Sequence, residues 1–324
     1  MTVSRCLRDP DSVSPKLRER IFSVAEQIGY IPNRAPDLLA RATSRSIGVL
    51  VPSLTNQVFA EVIQGIEQAT EPAGYHLMLA HYGYSEELEE RSLASLLSYN
   101  VDGVILSDRQ HTPRTLRMLE TAGIPVIEIM DTYLPALQQA VGYDNQQAGF
   151  DMVKEMIRRG RRRIIYLSVR LDERNHQRGE GYRLAMLANG LTPIILHSRQ
   201  RSSFSVGGEL LDRVRREYPH ADAIFCTNDD VAVGAYFECL RQGVAVPEEM
   251  AIAGFHGHDI GQAMSPRLAS VVTPRKAIGK EAAKALLSRL RGEPIRSPII
   301  NLGYRIEVGS TLGTPGGDTA QALE

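Results

Sequence analysis

Asp229 and Asp230 form an acidic pair of the kind general acid and base catalysis uses. Neighbours one residue apart on a helix point in different directions, so the pair does not converge on one substrate. His256 and His258 give an H-x-H with no third ligand at metal-site spacing, too little for a zinc centre. Cys6, Cys226 and Cys239 are odd in number, far apart and free of any C-x-x-C, which reads as reduced, buried thiols. The chain has no G-x-x-x-x-G-K-[ST], no G-x-G-x-x-G after a strand and no G-x-S-x-G. The chemistry left is recognition: no enzyme, no cofactor and no metal is expected.

The elements that must do the recognising divide the chain in two. From Ile47 onward short apolar runs ("IGVLVPSL", "VDGVILSD", "IPVIEIMD", "RRIIYLSV", "ADAIFCTN", "MAIAGFHG") alternate with stretches of helical periodicity. Such runs, bounded by Gly, Pro, Asn or Asp, are strands of buried parallel sheets in repeated βαβ units. They are too many for one comfortable sheet, so two similar subdomains are expected, with ligands in the loops after the strands. At 324 residues and 43% apolar, the chain can build both cores. No apolar run reaches the roughly 18 residues a bilayer needs and no secretory pattern opens the chain, so a cytoplasmic protein without membrane contact is expected.

Residues 1–45 differ. "SPKLRERIFSVAEQIGY" carries Ser14 as an N-cap, Pro15 at the first helical position, and Leu17, Ile21, Val24, Ala25 and Ile28 on one face, with Gly29 as the stop. Such a stripe needs helical partners; "TVSRCLRD" is one and a second is absent. "IPNRAPDLLARATSRS" reads either as a flexible linker or as a short helix that orders on a partner surface. "GTPGGDTAQALE" reads as a disordered tail. Residues 1–46 hold eight Lys/Arg against five Asp/Glu, in a chain of net charge -1. A basic head on an acidic body points to nucleic acid at the N-terminus.

"TVSRCLRDPDSVSPKLRERIFSVAEQIGYIPNRAPDLLA" resembles the DNA-binding headpiece of the LacI/GalR (lactose-repressor) family, and "CTNDDVAVGA", "VPEEMAIAGF" and "LASVVTP" resemble its body. The likeness covers roughly residues 1–312. "SLTNQVFAEV", "HYGY" and "GFHGHDIGQ" look most like the gluconate-utilisation branch. The resemblance implies a type I periplasmic-binding-protein fold of two doubly wound parallel-sheet subdomains, after a partial all-α helix-turn-helix headpiece (1–32) and a hinge (33–45). Its effector and dimerisation domain would span 46–312, divided as 46–144 with 275–304 and 145–273 with 305–312, and 313–324 would be tail. Because "TVSR" belongs inside the family's recognition helix, the start at Met1 is expected to be an internal methionine, with a natural headless sensor as the competing idea.

In residue terms the resemblance implies that Thr2, Ser4 and Arg5 face base edges and phosphates, Arg5 first for base reading and the two hydroxyls alternatively for capping. Asn33 and Arg34 would hold phosphates, and Leu39 would wedge the minor groove. The effector cleft would be built from Asn56, Phe59, Ser107, Asp131, Arg178, Asn228 and Asp229. His256 replaces an Asp common in the family, and Arg170 and Arg174 join Arg178 in "RLDERNHQR". Losing an acceptor-only anion for a possible cation, beside guanidinium forks, suits an acidic ligand such as gluconate. The expected protein is a homodimeric repressor of sugar-acid genes on operator DNA. The alternative is a sugar or sugar-acid binding protein without specific DNA binding.

Overall fold

A computed structural model describes residues 2–8, 10–31, 43–133, 135–170 and 172–314. The expected hinge contacts Asn33, Arg34 and Leu39, and most of the tail, lie outside the described residues. Two helices open the chain, α1 (Thr2–Arg8) and α2 (Pro15–Gln27). Pro15 starts α2 without costing a hydrogen bond, since the first amides of a helix have no partner inside it. No residue of α2 is fully buried: Leu17 is 38% and Val24 47% exposed, and Ile21 and Ala25 are half-buried, so the apolar stripe is only partly covered among the described residues.

The body holds two six-stranded sheets. The first contains β1 (Ser46–Val51), β2 (His76–His81), β3 (Gly103–Leu106), β4 (Val126–Ile129), β5 (Gln139–Gly142) and β11 (Ile299–Asn301) in the order β11-β5-β4-β3-β1-β2. The second contains β6 (Ile164–Val169), β7 (Ile194–Ser198), β8 (Ala223–Cys226), β9 (Ala251–His256), β10 (Ala269–Val272) and β12 (Arg305–Glu307) in the order β12-β10-β9-β8-β6-β7. All pairings are parallel except that of β12 with β10. Central strands such as β3, β6 and β9 are buried along their whole length, as expected where helices cover both faces.

In each sheet the strand order reverses beside its first strand, between β1 and β3 and again between β6 and β8. A crevice opens at such a reversal, at the carboxyl ends of the strands. After α3 (Gln57–Thr70), α4 (Glu86–Ser98) and α5 (Pro113–Ala122) flank the first sheet; α3, α6 (Asn145–Arg158) and α7 (Glu173–Ala188) matter for what sits in the crevice. Glycines bring α6 and α7 into backbone contact, for a Cβ on Gly181 would stand 2.0 Å from the Gln146 carbonyl oxygen. The resulting position buries one polar face of α7, including Arg174, Asn175, Gln177 and Arg178. The three cysteines are buried and free.

Candidate functional site

Both reversals contribute to one cavity between the sheets. The first subdomain lines it with Asn56, Val58, Phe59, Tyr84 and Met130, the second with Arg170, Asp172, Arg174, Arg178, Thr227 and His256. Six of the expected effector residues therefore meet: Asn56, Phe59, Arg170, Arg174, Arg178 and His256. Four of the lining residues have left-handed backbones without being glycine: Tyr84 (φ 65), Met130 (φ 74), Arg170 (φ 56) and His256 (φ 103). Strain of this kind costs of order 1–3 kcal/mol per residue and clusters where binding geometry demands it.

Arg178 is 5% exposed, and all its partners are neutral. Its Nε donates to Asn145 Oδ1 (3.0 Å), Nη1 to the Thr227 carbonyl (2.9 Å) and Nη2 to the Tyr143 hydroxyl (3.2 Å), while the Phe255 ring lies 3.9 Å from the guanidinium carbon. Among the described residues no carboxylate pairs with it. Arg174, one helical turn earlier, donates to the Ser107 carbonyl across the cleft. Arg170 lies over the Tyr84 ring at 4.3 Å, and its buried Nε has no hydrogen-bond partner. Asp172 caps α7 by accepting from the Asn175 amide at 2.9 Å. Burial opposes its charge, but Arg174 and Arg170 hold its carboxyl below the usual range. Three guanidiniums thus face one carboxylate in the lining.

His256 does not supply the positive charge expected of it. Burial, then the neighbouring charges of Arg178 and His258, push its pKa well below the ordinary value, so it enters the cavity as a neutral ring. Its Nε2 faces Arg178 Nη1 at 3.4 Å. The arginines carry the charge instead.

The other expected effector side chains stand apart from the cavity lining. Ser107 is fully buried; its hydroxyl bonds Tyr82 and the Leu50 carbonyl, and its own carbonyl holds Arg174. Asp131 accepts from Gln177 Nε2 at 2.8 Å across the cleft and lines a neighbouring cavity. Asn228 caps the helix after β8 and bonds Ser202. Asp229 is fully buried, accepting from Ser270 Oγ (2.7 Å) and the His258 amide (2.5 Å). Sequence reasoning missed Val58, Tyr84, Met130, Asp172 and Thr227; only Asp172 carried a signal, as an acid two residues before Arg174.

At the other end, α1 contains Thr2, Ser4 and Arg5, with Thr2 and Arg5 exposed.

Comparison with known proteins places this geometry in a class. Residues 44–307 match the family profile "Periplasmic binding proteins and sugar binding domain of LacI family", and residues 1–33 match "Bacterial regulatory proteins, lacI family". The fold is that of the type I periplasmic-binding proteins, carrying a helix-turn-helix segment at its N-terminus. The chain is 56% identical over 312 residues to the HTH-type transcriptional regulator GntR of Escherichia coli K12, covering 96% of this chain and 94% of the relative. It is 46% identical to the regulator IdnR of the same strain, again over 96% of this chain and 94% of the relative. A solved LacI-family regulator from Silicibacter pomeroyi superposes with TM-score 0.90 at 32% identity, covering 96% of this chain and 95% of that one.

The chain belongs to the LacI family. It is a transcriptional regulator of the kind that binds operator DNA and a small-molecule effector, and not an enzyme.

Proposed function

We propose that this regulator represses sugar-acid utilisation genes and takes gluconate or a related aldonate as its effector. The observation that carries the reading is Arg178, buried in a cavity lined by three guanidiniums and one carboxylate and paired only with neutral groups, while Asp108 and Asp172 offset Arg174. Removing a cation from water without a counter-ion is costly, and a ligand carboxylate relieves that cost by accepting from the guanidinium fork. Asn56 bonds ligand hydroxyls, Phe59 forms an apolar wall, and neutral His256 donates or accepts without adding charge. Ser107, Asp131, Asn228 and Asp229 act behind the lining: they set Arg174, Gln177 and the loop ends.

In the cytoplasm, away from membranes, two copies grip a palindromic operator. Residues 1–32 read it through Thr2, Ser4 and Arg5. Asn33 and Arg34 hold phosphates, Leu39 wedges the minor groove within the 33–45 hinge, and 46–312 senses the effector.

Calorimetric titration with D-gluconate tests the effector. Saturable binding is expected, and Arg178→Lys weakens it at least about tenfold because an ammonium lacks the planar fork. Absence of binding in the wild-type chain overturns the sugar-acid reading.

A further inference from the structure

The effector cavity does not end at the arginines. Tyr84, Arg170 and Asp172 also line a second chamber, whose wall continues through Glu86, Glu89, Asp108 and Glu173. Its charge is opposite. Five carboxylates face a single guanidinium, that of Arg170. His111, behind Glu89 at 2.7 Å, offsets one of them and Arg174, next to Asp108 and Asp172, another, which leaves two negative charges in excess.

The internal bonding of this wall is incomplete. Glu89 is 1% exposed, and its Oε1 has no hydrogen-bond partner. Buried polar atoms are nearly always satisfied, and an orphaned acceptor beside a cavity suits a donor brought by a ligand. Asp108 Oδ2 receives only a long bond from the Tyr82 hydroxyl at 3.5 Å, and Glu173 Oε2 only one from Gln110 at 3.4 Å. The two chambers thus present opposite chemistries on either side of Arg170: guanidiniums bonded to neutral groups at one end, carboxylates with an unpaired or weakly bonded oxygen at the other.

We propose that the cleft is dipolar and selects sugar acids with one anionic end. This rests on the sugar-acid reading above and says which sugar acids. The ligand carboxylate lies against Arg174 and Arg178, and the chain of hydroxyls runs past Arg170 so that its uncharged end donates to the acidic wall. An aldarate carries a second carboxylate where an aldonate has its terminal CH2OH. That group would enter a chamber already rich in like charge, which interfaces use to turn away wrong partners.

D-gluconate, D-glucarate and sorbitol share a six-carbon chain and differ in having one, two and no carboxylates. Calorimetric titration of the whole chain with each is the test. Gluconate is expected to bind most tightly, with glucarate and sorbitol each at least about a hundredfold weaker. Glu86→Gln and Glu173→Gln, each removing one charge from the outer wall, are expected to narrow the gluconate-over-glucarate ratio by roughly three- to tenfold. Equal affinity for gluconate and glucarate, or an unchanged ratio in both variants, overturns the dipolar cleft and leaves the sugar-acid function standing. Failure to bind any of the three overturns the sugar-acid function and the dipolar cleft with it.

Discussion

His256 and His111 show opposite fates of one side-chain type. His256 sits among arginines, so burial and like charge keep it neutral. His111 sits between two carboxylates. Burial works against its charge, but Glu128 and Glu89 outweigh burial and hold its pKa up to about 9. For the cleft, the consequence is an effector affinity that stays flat between about pH 6.5 and 8, since neither His256 nor a guanidinium changes charge there. Titration calorimetry at pH 6.5 and 8 checks this, and a tenfold loss on going up would show that His256 binds as a cation. For His111, the folded value lies above the unfolded 6.5. Its stabilising contribution is therefore complete below about pH 6.5 and disappears as pH rises through 9. Thermal unfolding followed from pH 7 to 9.5 should show a decline in Tm that His111→Gln flattens. Sequence reasoning did not single out His111, because Glu89 and Glu128 reach it from other stretches of chain.

At the scale of elements, helix contacts made through glycine are what aim α7. Gly181 meets the Gln146 carbonyl at 2.0 Å from an added Cβ, and Gly207 in α8 (Phe204–Glu217) meets the Val231 carbonyl at 2.2 Å. Both substitutions to alanine force a helix pair apart, with an expected cost of about 1–3 kcal/mol each and a Tm lowered by several degrees. They should differ in binding. Gly181→Ala shifts the helix that carries Arg174 and Arg178 and weakens effector affinity; Gly207→Ala lies on a helix pair that contributes no cavity-lining residue and leaves affinity near wild type. Unfolding curves and titrations of the two variants side by side provide the check. The central strands were legible as elements because burial on both faces demands an unbroken β-branched run, as in "IIYLSV" of β6. Edge strands were not: β2 is nowhere fully buried, and β11 and β12 are three residues each.

Across the whole molecule, the two subdomains hold each other through a few polar bridges around the cleft. Gln177 reaches Asp131 at 2.8 Å, Arg174 reaches the Ser107 carbonyl, and Arg275, where the chain returns to the first subdomain after β10, ties the carbonyl of His256 to Glu61 of α3. Each bridge favours one closure angle, and effectors of such proteins act by shifting that angle. Asp131→Ala and Gln177→Ala should each open the unliganded cleft to the same extent, and the double variant no further. Small-angle scattering reads this as a common rise in radius of gyration; additive rises would mean that the two side chains act separately.

Asn56 and Asn228 show how far the sequence reaches. Each follows a strand, each precedes a helix, and each caps it, Asn56 through the Val58 amide and Asn228 through the Val231 amide. Local pattern determined that much, because capping involves only the next two or three residues. The sequence alone likewise determined two βαβ bodies, a helical head and a cluster of arginines at positions 170, 174 and 178. Only the tertiary structure decided that Asn56 lines the cavity while Asn228 is occupied by Ser202, and that His256 is neutral. Those outcomes depend on desolvation and on charges brought from other segments of the chain, and neither is written in the spacing of nearby residues.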